Sequence, residues 1–106
     1  MKRNKDIISK IINVSTTSFP EAEVYLFGSR TKQKSIDESD WDLLILLNSV
    51  ELNIETEIRI LDEFYNLELE TGEIFTPIIY TKEYWQSNQN NKPFFQNIRN
   101  DVKRLI

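Results

Sequence analysis

The sequence predicts one small mixed α/β domain, a three- or four-stranded mixed sheet flanked by helices. Three observations carry that expectation. The chain has 106 residues, the length of a single domain. Stretches with apolar residues at helical spacing alternate along it with short apolar runs that read as strands. Hydrophobic residues make up 40% and charged residues 28%, a balance that supplies a core and excludes a disordered chain. No internal repeat, low-complexity tract or Gly/Pro/Ser-rich linker divides the chain, so residues 1–106 are expected to form one domain.

Each element follows from local pattern. Ile7, Ile8, Ile11 and Ile12 predict an amphipathic helix over about 4–17, broken by Ser15-Thr16-Thr17-Ser18 and Pro20. Glu23-Val24-Tyr25-Leu26-Phe27 reads as a strand stopping at Gly28. Residues 29–39 are polar and carry no strand signal. Residues 41–47 are apolar on both alternating faces, as in a central strand covered on both sides. Ile54, Ile58, Leu61 and Tyr65 form one helical stripe, widened by Ile60, Phe64 and Leu67, which predicts a helix over 54–69 with Gly72 just past its end. The run 74–80 is a strand; Pro77 lacks a ladder donor and places it at an edge or a bulge. Thr81 can cap a short helix starting at Lys82. Phe94, Phe95, Ile98, Val102 and Leu105 predict a closing amphipathic helix. Trp41 is expected to pack against a helix behind the sheet. Tyr84 and Trp85 are expected to pack the 82–90 helix, with base stacking as the alternative.

Composition removes whole classes of chemistry. There is no cysteine and no histidine, hence no disulfide, thiolate nucleophile, zinc–thiolate site, Ser-His-Asp triad or imidazole ligand. A metal would have to be held by oxygen ligands, which suits Mg²⁺ or Mn²⁺. Two glycines cannot build a GxGxxG fingerprint or a Walker loop. A net charge of −4 disfavours a sequence-independent nucleic-acid binder. From Glu51 to Glu73 eight acids face only Arg59, a solvated helix face or a contact for a basic partner. No apolar run approaches the ~20 residues of a membrane span, and no signal-peptide core is visible, so a cytoplasmic protein is expected.

The informative segment runs from Phe27 to Leu47. Asp40 and Asp42 open the most apolar run of the chain, two residues apart, and would converge on one face of a strand. Two carboxylates so placed repel unless a cation lies between them. Gly28 ends the preceding strand, where a glycine lets backbone approach a ligand, and the Ser29 hydroxyl and N–H can donate to a phosphate. A helix beginning at 29–34 would add its N-terminal potential, and Arg30, with Lys32 and Lys34 nearby, could grip a polyphosphate. Together these features describe a metal–nucleoside-triphosphate site, although Gly-Ser or Asp-x-Asp alone is more often a turn or cap.

Phe27-Gly28-Ser29-Arg30 followed by Ser39-Asp40-Trp41-Asp42-Leu43-Leu44-Ile45-Leu46 resembles the GSx10DxD signature of the minimal nucleotidyltransferases of the DNA polymerase β superfamily. The resemblance implies the nucleotidyltransferase fold and transfer of a nucleoside monophosphate from an NTP such as ATP to an acceptor hydroxyl. It implies Asp40 and Asp42 as catalytic and metal-holding residues, and Gly28, Ser29, Arg30 and Ser39 as the nucleotide-binding set. It further implies a protein partner, since such proteins are often paired with a HEPN-type toxin and some add AMP to it. Family members commonly place a glycine where this chain has Gln33. Active members also carry a third carboxylate on a later strand. Here Thr76 and Pro77 stand at the matching positions, and Glu70 and Glu73 are the nearest acids. Two readings therefore follow: a Mg²⁺-dependent transferase acting on a partner, or a weak or inactive relative acting by contact alone. Transfer to a small molecule such as an aminoglycoside is a third, with no evident second domain to form its acceptor pocket.

Overall fold

Helix α1 spans Lys2–Ser18 and buries Ile7 and Ile11, one turn apart, against the sheet. It continues through the Ser/Thr run expected to break it. The reason is local: the Thr16 hydroxyl bonds back to the Ile12 carbonyl at 2.9 Å, so the polar side chain satisfies itself within the helix. Ser15 on the same face is 1% exposed, and its Oγ has no hydrogen-bond partner among the described residues. Ser15→Ala removes a desolvated hydroxyl and improves helix propensity, so it is expected to raise stability by about 1 kcal/mol, read as a higher urea midpoint at constant slope.

The computed structural model describes residues 2–28, 40–49 and 51–106. After α1 the order is β1 (Glu23–Phe27), β2 (Trp41–Leu47), α2 (Ile54–Thr71), β3 (Phe75–Thr81), α3 (Lys82–Asn88), α4 (Pro93–Asn100) and β4 (Val102–Arg104). The sheet order is β3-β2-β1-β4, with β1 antiparallel to both β2 and β4 and β2 parallel to β3. The most apolar strand, β2, is thus interior, and β3 with Pro77 lies at an edge, where its missing N–H costs no ladder bond.

Two apolar layers sandwich the sheet. On one face Val24, Leu26, Trp41, Leu43 and Ile45 pack against Ile7 and Ile11 of α1 and Ile60, Phe64 and Leu67 of α2. On the other, Phe27, Leu44 and Leu46 pack against Trp85 of α3 and Phe95 and Ile98 of α4. Trp41 is 1% exposed and its indole N–H donates to Glu73 Oε1 at 2.8 Å. Trp85 lies against Phe95 with ring centroids 4.9 Å apart. Caps follow the expected chemistry. Asn53 Oδ1 accepts from the N–H groups of Glu55 and Thr56, Gly72 closes α2 at φ +75°, and Thr81 Oγ1 accepts from the Tyr84 N–H.

Two further expectations are overturned. The closing helix stops at Asn100, and Val102 joins a fourth strand on β1, with Leu105 N–H bonded to the Val24 carbonyl at 2.8 Å. Without that strand the second edge of β1 would expose its ladder groups. On α2 it is the stripe of Ile60, Phe64 and Leu67 that is buried, while Ile54, Ile58, Leu61 and Tyr65 are exposed. Both stripes repeat at helical spacing, and only the placement of the sheet selects between them. No described helix is long and apolar enough to cross a membrane.

Candidate active site

Antiparallel pairing of β1 and β2 sets Phe27 opposite Asp42, so Gly28 leaves β1 beside the start of β2. Gly28 has φ +76°, the left-handed region that glycine adopts without steric cost. It also has no room for a side chain, because a Cβ there would stand 2.7 Å from Asp42 Oδ2. The glycine expected at this turn is therefore required twice, by its backbone angle and by the carboxylate it packs against.

Asp40 is exposed just before β2, and Asp42 is the one partly open residue of an otherwise buried strand. Strand alternation turns Asp42 away from the face of Trp41 and Leu43 and onto the face of Leu44. Parallel pairing sets Thr76 of β3 opposite Asp42, and the Thr76 hydroxyl donates to Asp40 Oδ2 at 3.4 Å. Gly28, Asp40, Asp42 and Thr76 thus meet at one end of three adjacent strands. Burial, then the neighbouring charge of Asp40, pushes the Asp42 carboxyl above its usual range. A divalent cation relieves both causes, and hard carboxylate oxygens are its preferred ligands, so the pair fits Mg²⁺.

That upward shift fixes the sign of a pH effect. The folded state binds the Asp42 proton more tightly than the unfolded chain does. Its stabilising contribution is complete below the unfolded value near 3.8 and is lost as pH rises through the folded value. Asp42→Asn is expected to be more stable than the parent at neutral pH, by less than about 1 kcal/mol because solvent screens the carboxylate, with the difference vanishing near pH 3. Excess Mg²⁺ should reverse the order at neutral pH by binding only the parent tightly. Melting curves across pH, with and without the metal, check both statements.

The other expected residues divide. Ser29, Arg30 and Ser39 lie outside the described residues, as do Lys32, Gln33 and Lys34. The two acids nearest in sequence to the missing third carboxylate are used elsewhere. Glu73 accepts from the Trp41 indole on the α1/α2 side of the sheet, and Glu70 pairs with Lys10 of α1 at 2.8 Å. Among the described residues no group of three or more acids is placed to hold a metal ion. Thr76, which the sequence pointed to only as a vacancy in a pattern, lies opposite Asp42 and bonds to Asp40 through its hydroxyl. A cleft of about 570 Å³ lies at the opposite end of β2, among Leu47, Asn48, Asn53 and Arg59, and takes no part in this arrangement.

Comparison with known proteins agrees with this fold. A search of curated proteins finds no significant match. Among solved structures, a toxin–antitoxin complex with AMP-PNP matches with a TM-score of 0.64 at 19% identity, over 93% of this chain and 72% of that one. The rebuilt structure of a tri-AMPylated Shewanella oneidensis HEPN toxin in complex with MNT antitoxin matches with a TM-score of 0.63 at 17% identity, over 97% of this chain and 71% of that one. At these identities the likeness establishes the fold. The family model described as polymerase β nucleotidyltransferase matches residues 9–106. The chain belongs to the polymerase β nucleotidyltransferase family and has the fold of a minimal nucleotidyltransferase.

Proposed function

We propose that this domain, residues 1–106, is a cytoplasmic Mg²⁺-dependent nucleotidyltransferase that moves AMP from ATP to a hydroxyl of a partner protein, a HEPN-type toxin by analogy with its structural neighbours. The observation that carries the reading is the packing of Gly28 on Asp42 with Asp40 alongside, at the mouth of adjacent strands. Asp40 and Asp42 are the residues that hold the metal, and Gly28 with Ser29, Arg30 and Ser39 binds the triphosphate. Bound there, Mg²⁺ would neutralise charge developing on the phosphates. The acceptor oxygen forms a bond to the α-phosphorus, the bond to the β-phosphate oxygen breaks, and pyrophosphate leaves. The acceptor proton must go to a base, and Thr76 stands where a carboxylate would take it.

That last observation favours a second reading, in which the chain binds nucleotide and its partner but transfers slowly or not at all. Labelled ATP, Mg²⁺ and the protein encoded beside this chain separate the two. Label on the neighbour, lost with Asp40→Ala plus Asp42→Ala, supports the enzyme. A stable complex with no label from the parent protein leaves the contact reading. Label that survives both substitutions refutes the site.

A further inference from the structure

Helix α2 carries an apolar face that is exposed among the described residues. Ile54 is 71% exposed, Ile58 52%, Leu61 44%, Tyr65 58% and Leu69 70%. Their spacing of three and four residues aligns them in one stripe along the whole helix, roughly a third of a turn from the buried Ile60, Phe64 and Leu67. Five large side chains in a row form a continuous patch, unlike singly scattered surface apolar residues. Acids border it. Glu55 and Asp62 run along one side, and Glu57 and Glu68 along the other. In all, α2 has six carboxylates against the single guanidinium of Arg59; among the described residues Glu70 pairs with Lys10 and Glu68 Oε2 accepts from the Phe75 N–H at 2.9 Å.

The charge pattern selects the occupant. Pairing this face with a second copy of itself would set acidic borders against acidic borders, an arrangement that like charges oppose. We infer that the outer face of α2 docks an amphipathic helix of a different protein, with an apolar ridge flanked by Lys or Arg. The inference deepens the partner-protein reading and rests on it, but not on nucleotide transfer. Helix α2 packs on the face of the sheet opposite Asp42, so a partner held there leaves the candidate active site open.

The test uses the full chain and two synthetic helical peptides as long as the 18 residues of α2. Both carry leucines at positions i, i+3 and i+7; one has lysine borders and the other glutamate borders. Fluorescence anisotropy without nucleotide is expected to show the lysine peptide binding at least about tenfold more tightly at low salt. The difference should collapse in 1 M salt, where the screening length is about 3 Å. Ile58→Ser plus Tyr65→Ser should weaken lysine-peptide binding by about tenfold or more with unchanged melting, since both side chains are exposed. Equal binding of the two peptides, no binding of either, or indifference to the double substitution overturns the proposal. So does a dimer of the chain alone, seen by sedimentation and dissolved by the same substitutions. Because no nucleotide is present, failure here is distinct from failure of the labelling experiment.

Discussion

Thr76→Asp is expected to accelerate AMP transfer by about 10²-fold or more, the low end of what a positioned general base contributes. Thr76 lies opposite Asp42 on the neighbouring parallel strand, and its hydroxyl already reaches Asp40 Oδ2. A short carboxylate there would join the Asp pair on the same side of the sheet, able to share a cation and to accept the acceptor's proton. The same change should lower the melting temperature without metal, because a third negative charge is added to two. Mg²⁺ should then restore more stability than it gives the parent protein. Single-turnover labelling of the partner and melting curves with and without Mg²⁺ measure the two effects. Stronger Mg²⁺ stabilisation with no gain in rate would show that the proton is removed by another group, and the partner becomes its expected source. Thr76→Val, which deletes the bond to Asp40 without adding charge, controls for packing at the edge strand.

Gly28→Ala is expected to cost about 1–2 kcal/mol of stability from its left-handed backbone alone, a fall of roughly 5–15 °C for a domain of this size. It should also abolish Mg²⁺-dependent nucleotide binding, because the added Cβ would lie 2.7 Å from Asp42 Oδ2 and the carboxylate must swing away. Gly72 separates the two effects. It has nearly the same angle, φ +75°, but nothing within 4 Å of a Cβ built there. Gly72→Ala should therefore lose a similar amount of stability and leave nucleotide binding intact. If both variants bind Mg·ATP equally well, contact between Gly28 and Asp42 has no role in the site. Calorimetric titration with Mg·ATP at a temperature where both are folded makes the comparison.

The candidate site was legible to different depths at different residues. The spacing of Asp40 and Asp42 at the head of an apolar run was enough to foresee their convergence, since strand geometry turns alternate residues to one side. Gly28 was legible as a turn, but its second constraint was not. Only the pairing of Phe27 with Asp42 brings the turn against that carboxylate. The involvement of Thr76 depends on how β3 lies beside β2, a long-range pairing that no local pattern encodes. The positions of Glu70 and Glu73 were likewise undetermined until Lys10 and the Trp41 indole were seen to hold them.

By itself the sequence determined the chemistry available and most of the elements. The absence of histidine and cysteine left carboxylates as the strongest metal ligands in the chain. Strands β1 and β2, helix α2 with its stop at Gly72, and the placing of Pro77 at an edge or a bulge followed from periodicity, glycine chemistry and a missing N–H, all local properties, while the Asn53 cap of α2 emerged only in the structure. Tertiary structure decided which of two equally periodic stripes on α2 is core, that the last residues pair with β1 rather than extend a helix, and that Thr76 completes the cluster of Asp40 and Asp42. Each of those outcomes turns on which surface lies opposite, and burial and strand pairing are settled between segments distant in sequence.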